Sequence, residues 1–399
     1  MNHKYLLIAV TLPLLLLLIT GCGNATPAAT ATPTRTAEPA ATPVPPTALP
    51  TETPVPPTAT PTEVAAAPSQ IVTPFPPGVN PLTGLKVADP EMLEHIPLAI
   101  KISNSPAVRP QAGLNSADIL FEHYAEGNIT RFTGIFYGTF PERVGSVRSG
   151  RLIDLEIPAM YQGIFAFSGM SGGVKQRFRA SDLFPDQVAS PDFGIGQPYF
   201  YRVPEEGKAF EHTLYADPVE LRALADERGI DGPPEFPQLL AFMDAPPVLS
   251  NMFEVHYFEI NYLAGTCTAE WSYDAASGNW LRQTAGQIHT DYLTGEQVRA
   301  SNVVVIFANH LPTDILEDTH GGGHMSIEIQ TWGSGSALLF RDGKMYQGYW
   351  NRAARGDMLT FQDTSGNPLP LKPGNSWFQL VPANTTAEEF ETGMYRFTP

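Results

Sequence analysis

An α+β fold, with a mixed-sheet N-terminal domain carrying helices and a β-rich C-terminal domain behind a disordered Pro/Thr spacer, is predicted by three observations. Residues 24–78 consist mainly of Pro, Thr and Ala, with almost no large apolar side chain before Ile71. Between 79 and 232, strand-type and helix-type runs are mixed, whereas after 251 one short strand-type run follows another. About 320 residues lie beyond the spacer, enough for two cores at roughly 150 residues per domain.

The chain opens with an export signal over 1–21. His3 and Lys4 start it, an apolar run from Leu6 to Ile19 follows, and Ile19-Thr20-Gly21-Cys22 closes it in the manner of a bacterial lipobox. The run of about 14 residues falls short of the ~20 needed to span a bilayer. Cleavage before Cys22 leaves a thiol for diacylglyceryl attachment, so the expected partner is the membrane, through a lipid anchor on the outer face of the cell membrane. The tract over 22–78 cannot bury enough to offset the entropy of folding. Its Pro-Thr repeats favour polyproline II, a semi-rigid spacer of about 3.1 Å per residue.

Element by element, the N-terminal domain (79–232) reads as follows. Strands are predicted over 98–102, 118–124 and 132–137, helical spacing over 152–161, a short buried strand over 164–167 and a helix over 174–180. Asp217 as N-cap, Pro218 in the first turn and Gly229 as stop bound a helix over 218–228. Asp231-Gly232-Pro233-Pro234 and Ala245-Pro246-Pro247 mark a linker over 233–250. The C-terminal domain (251–383) offers strands over 253–262, 267–273, 280–283, 302–307, 325–330, 337–340, 345–350 and 377–381. Asp342-Gly343 is a hairpin turn pair, 274–278 forms a second turn, and 384–399 is expected as a tail.

The net charge of −17 argues against nucleic acid as a partner. With Cys22 acylated, Cys267 has no partner for an intramolecular disulfide and is expected as a small buried hydrophobe. No cofactor or metal is expected. His320 and His324 sit on a glycine loop with no glutamate after His320, and His289 with Asp291 reads as a pair on a hairpin surface. Gly169-Met170-Ser171-Gly172-Gly173 lacks the serine-hydrolase elbow pattern. Trp332, Tyr346, Tyr349 and Trp350 suit either sugar stacking or a filled sheet face.

The densest chemistry lies between 108 and 154. Arg109, Arg131, Arg143, Arg148 and Arg151 cluster there without a lysine, and arginine suits bidentate recognition of carboxylate or phosphate. Asp118, Glu122 and Glu126 fall on one strand face with period two. The loop from Gly145 to Arg151, with Ser146, Ser149 and backbone N–H groups at a helix start, suits an anion. The alternative is that these arginines pair with the carboxylates as internal staples.

These residues carry a resemblance. Asn80-Pro81-Leu82-Thr83-Gly84-Leu85, Arg109-Pro110-Gln111-Ala112-Gly113-Leu114, Val144-Gly145-Ser146-Val147-Arg148-Ser149, Phe340-Arg341-Asp342-Gly343-Lys344 and Pro373-Gly374-Asn375-Ser376-Trp377 resemble the YerB-like lipoprotein family, DUF3048, over about 80–382. The resemblance implies a two-domain exported lipoprotein without an established molecular activity. The chain departs from that pattern at Ser168, where relatives place histidine, and at Thr213, where they place asparagine.

The expected function is binding of an anionic cell-envelope ligand or polymer through Arg109, Arg131, Arg148, Ser149 and Arg151. The alternatives are an envelope hydrolase using Glu122 or Glu126 with His212, and a structural adaptor without catalysis.

Overall fold

Leu98, Ile100 and Ile102 alternate with Ala99, Lys101 and Ser103 along one strand, and this period of two assigns the chain's apolar residues to two faces of one sheet. The computed structural model describes residues 75–127, 129–262, 266–318 and 323–399. The signal, Cys22, His320 and all of the spacer before Phe75 lie outside the described residues. Phe75 already packs edge-on against Phe242.

The fold is α+β. Among the described residues, a mixed 11-stranded sheet runs in the order Thr360–Asp363, Lys344–Arg352, Gly333–Arg341, Asn302–Ala308, Ser376–Pro382, Ile119–Ala125, Ile129–Phe136, Leu98–Ser103, Ile164–Ala166 and Val188–Ala189, with Met252–Glu254 added beside Lys344–Arg352. The strand Ser376–Pro382 lies parallel to Asn302–Ala308 on one side and to Ile119–Ala125 on the other. Strands from both sides of the proline-rich stretch therefore share one hydrogen-bonded sheet. Its centre holds the apolar run Val303-Val304-Val305-Ile306, buried on both faces as a central strand requires.

A second, 7-stranded sheet packs over one face, built from Gln287–Ile288, Asn279–Thr284, Ala269–Asp274, Tyr257–Ile260, Met394–Thr398 and Thr386–Glu391, with Arg299–Ala300 beside Asn279–Thr284. Aromatic rings fill the space between them. Phe258 stacks on Phe340 at 3.9 Å, and Trp377 meets both Trp271 and Phe132 at 5.2 Å. The segment expected as a tail over 384–399 is in fact two strands of this sheet. Met394–Thr398 pairs in parallel with Tyr257–Ile260, a contact between distant parts of the chain that no local pattern announces.

The opposite face is covered by short helices and a hairpin. The helical run expected over 152–161 divides into a 3₁₀ turn Leu152–Leu155 and an α-helix Ile157–Tyr161. Pro158 has no N–H to bond the Asp154 carbonyl, so one helix cannot continue through it. Ser171 caps the helix Gly172–Arg179 on this face, whereas Pro218–Glu227, capped by Asp217 through the N–H groups of Val219 and Glu220, buries Leu221 and Leu224 on the other face with Leu98, Ile100 and Ile102. The hairpin His310–Asp318 and His324–Ile329 reaches over the first of these helices. Gly173 permits that approach, since a Cβ there would lie 2.5 Å from Ile315 Cγ2. The Asp342-Gly343 turn has φ of 52° and 68°, the positive pair a two-residue hairpin needs.

Candidate functional site

On the helix-covered face, Lys101, Ser103, His123, Arg131 and Thr133 come from three adjacent strands and replace apolar residues at one end of the sheet. The register sets Lys101 opposite Thr133 and His123 opposite Arg131. At the bottom lies the fully buried pair of Lys101 and Asp154, 2.8 Å apart. Lys101 Nζ also donates to Thr133 Oγ1 at 3.0 Å and to His123 Nε2, while Thr133 Oγ1 donates to Asp154 at 2.8 Å. The other His123 nitrogen donates to the Tyr124 carbonyl, which fixes a neutral ring with Nε2 as acceptor. Burial lowers the Lys101 ammonium from 10.5 to about 8 despite Asp154, and burial with Lys101 nearby holds His123 well below its usual value.

Above this pair sit three guanidinium groups. Arg151 Nε donates to Glu126, and its Nη1 lies 3.7 Å from Glu317, which the hairpin supplies. Arg131 donates to the Ser149 carbonyl at 2.6 Å, while its Nε is buried without a partner. Burial first and Arg151 second push Arg131 well below the ordinary arginine value. Arg148 is half-buried, and the one hydrogen bond of its guanidinium among the described residues is a long 3.4 Å contact to the Glu211 carbonyl. Glu317 is raised by burial, against the pull of Arg151.

The expected anion loop is different in kind. Val147 N–H bonds to Leu214, Arg148 N–H to Lys101, Gly150 N–H to Gly169 and Arg151 N–H to the Asp154 carboxylate. Those four donors are spent on the fold, which leaves most of the loop's anion affinity to side chains. Arg131, Arg148, Ser149, Arg151 and Glu126 do come together. His212 joins them at the rim, lowered by burial and by Arg148, with Nδ1 buried and unpartnered.

Arg109 and Glu122 belong elsewhere, to a network between the two sheets. Glu122 is fully buried and meets Arg282 at 2.9 Å, Thr130 Oγ1 at 2.8 Å and Trp377 Nε1 at 3.3 Å. Arg282 lies over Trp377 at 4.7 Å and donates to His289, whose far nitrogen pairs with Gln111. Arg109 donates to the Asn104 carbonyl at 2.8 Å and the Thr266 carbonyl at 2.9 Å, beside the buried Cys267 thiol. His289 and Asp291, expected on a hairpin surface, are both buried here, because the segment after the strand Gln287–Ile288 runs alongside Gln111. Tyr346 and Trp350 fill the sheet face, whereas Trp332 and Tyr349 are exposed. Among the described residues no hydrogen bond joins His212 to Glu122 or Glu126. No cluster of three His, Cys, Asp or Glu among them is placed to hold a metal ion.

Lys101, His123, Asp154 and Glu317 were not singled out from the sequence. A lysine within the apolar run Leu98-Ala99-Ile100-Lys101-Ile102 was the available signal, since a charge buried in a central strand demands a partner.

The comparisons with known proteins agree with this architecture. Family models described as "Protein of unknown function (DUF3048)" match twice, the N-terminal domain over residues 82–231 and the C-terminal domain over 258–378. A Bacillus subtilis (strain 168) protein named "Putative lipoprotein YerB" is 32% identical over 305 residues, covering 76% of this chain and 86% of that protein. The crystal structure of the YerB protein from Bacillus subtilis superposes with a TM-score of 0.61 at 28% identity, covering 76% of this chain and 96% of that one. With both domain models matched and the relative spanned along most of its length, the chain belongs to the DUF3048 family of YerB-like lipoproteins.

Proposed function

We propose that this is an exported protein, lipid-anchored at Cys22 on the outer face of the membrane, that binds an anionic envelope polymer or small ligand at Arg148. One observation carries the reading. Arg131, Arg148 and Arg151 converge with Glu126 and Glu317 among them, Glu211 acts on Arg148 from further off, and no carboxylate of the described residues lies within ion-pairing distance of Arg148. The lysine beneath is already neutralised by Asp154. The Arg148 guanidinium therefore lacks an ion pair among the described residues and is partly open to solvent, in a chain of net charge −17. A teichoic-acid phosphate or an acidic-glycan carboxylate supplies the missing acceptor.

Calorimetry of the wild type against teichoic-acid fragments, muropeptides and acidic glycans tests this. One class is expected to bind, with affinity falling as salt rises. Arg148→Ala weakens it about tenfold or more, the loss of one charge-assisted contact of roughly 1.5–3 kcal/mol. Absence of binding by all three classes contradicts the reading. Turnover of any of them that Glu126→Gln abolishes favours the hydrolase instead.

The anchor is tested separately. Cys22→Ala is expected to release the protein from the detergent phase on cell fractionation, and unchanged partition excludes anchoring through this cysteine.

A further inference from the structure

A cavity of about 630 Å³ lies away from the arginine cluster, and neither Arg131, Arg148 nor Arg151 lines it. One wall comes from residues 83–92, the loop 138–140 and the first turns of the helix Pro218–Glu227; the other comes from Asn279, Arg299, Ser301 and Asn375. Three cations line it, Lys86, Arg222 and Arg299, against two carboxylates, Asp89 and Asp118.

The carboxylates have other work. Asp118 accepts from Asn80 Nδ2 and from the N–H groups of Tyr137 and Gly138, and Asp89 caps a 3₁₀ turn through the Glu91 N–H. Arg299 is paired with Glu296. Among the described residues Arg222 has neither a carboxylate nor a carbonyl partner. Its Nη1 rests on the Met92 thioether at 3.1 Å, and its guanidinium lies 5.2 Å from the centre of the Phe140 ring. Lys86 is exposed at the wall and makes no ion pair among the described residues.

The amides expected of a sugar site are also committed. Asn115 holds Gln297 and Arg299 backbone, Asn279 holds Ser277 and Ser301, and Asn375 holds Arg299 and Ser301. What remains free toward the cavity is positive charge beside the apolar surface of Met92, Phe140 and the exposed Val219.

From this geometry we infer a second ligand site, independent of the arginine cluster, for a small organic anion whose phosphate or carboxylate lies between Arg222 and Lys86 and whose apolar body covers Phe140 and Val219. An arginine without an oxygen acceptor gains a charge-assisted pair there, and the apolar body leaves water.

The probes are phenyl phosphate, inorganic phosphate and phenol, titrated calorimetrically into the full mature protein. Phenyl phosphate is expected to bind more tightly than either fragment. Arg222→Ala reduces its affinity about tenfold, as expected for loss of one charge-assisted pair. Val219→Asp also weakens it, more at low salt than at high. An aspartate in the first turn of a helix is favourable to that helix, so this variant keeps the fold while placing a negative charge at the site. Phenyl phosphate that fails to bind, or that binds both variants as it binds wild type, overturns the inference. Binding lost in Arg148→Ala but retained in Arg222→Ala also overturns it, because the anion then belongs to the other cluster.

Discussion

Glu122→Gln is expected to destabilise the protein by about 3–5 kcal/mol, the cost of leaving a buried charge without its partner. Arg282 would keep its position between the sheets with no carboxylate, and its Nη1 already lacks a partner. Trp377, Trp271 and Phe132 surround it, so water cannot replace the lost acceptor. Urea unfolding measures the change, and the midpoint should fall sharply while ligand affinity per folded molecule holds. An unchanged midpoint together with loss of an activity would return Glu122 to the role of reacting carboxylate.

Removing Lys101 alone should be comparably costly. Lys101→Met leaves Asp154 fully buried with only Thr133 and the Arg151 N–H, again a loss of about 3–5 kcal/mol. Lys101→Met combined with Asp154→Leu should recover most of it, since an apolar pair avoids desolvating two ions, less the cap that Asp154 gives Arg151. The pH dependence has a defined sign. Lys101 titrates at about 8 in the fold against 10.5 unfolded, so above pH 8 the native state releases its proton before the unfolded chain does. Burial of the ammonium therefore costs stability below pH 8, and that cost is relieved as pH rises toward 10.5. Unfolding free energies of wild type and Lys101→Met, compared from pH 7 to 9.5, should show the wild type gaining on the variant. A constant difference would mean that Lys101 keeps its ordinary pKa in the fold, Asp154 offsetting its burial.

What the sequence disclosed follows from the range of each interaction. Asp217 with Pro218 and Asp342 with Gly343 act within a few residues, and both form the cap and turn expected of them. That arginines of the 108–154 segment pair with its carboxylates is legible because both lie in one segment, and Glu126 with Arg151 is such a pair. The partners of Lys101, Glu122 and Glu317 are set by strand register and by a hairpin arriving from more than 150 residues away, as with Arg151 and Glu317. Glu122 thus met Arg282 rather than a neighbouring arginine. His289 reads as a surface residue because its local run is polar, yet Arg282 from the neighbouring strand and Gln111 from a distant segment meet its two ring nitrogens. Met394–Thr398 forms a hairpin with Thr386–Glu391, but what attaches that hairpin to the sheet is parallel pairing with Tyr257–Ile260, more than 130 residues away, which no local pattern in 384–399 discloses.

The central claim is that the arginines divide their labour, Arg151 holding the fold while Arg148 holds a ligand. It is tested most directly by measuring melting temperature and ligand affinity together in Arg148→Ala and Arg151→Ala. Arg151→Ala should lower the melting temperature, because Glu126 and Glu317 are left facing each other without a guanidinium between them. Arg148→Ala should melt as the wild type does and lose about tenfold or more in affinity for the anionic ligand. A melting temperature that falls in Arg148→Ala, with affinity per folded molecule intact, would contradict the account and make all three arginines internal staples.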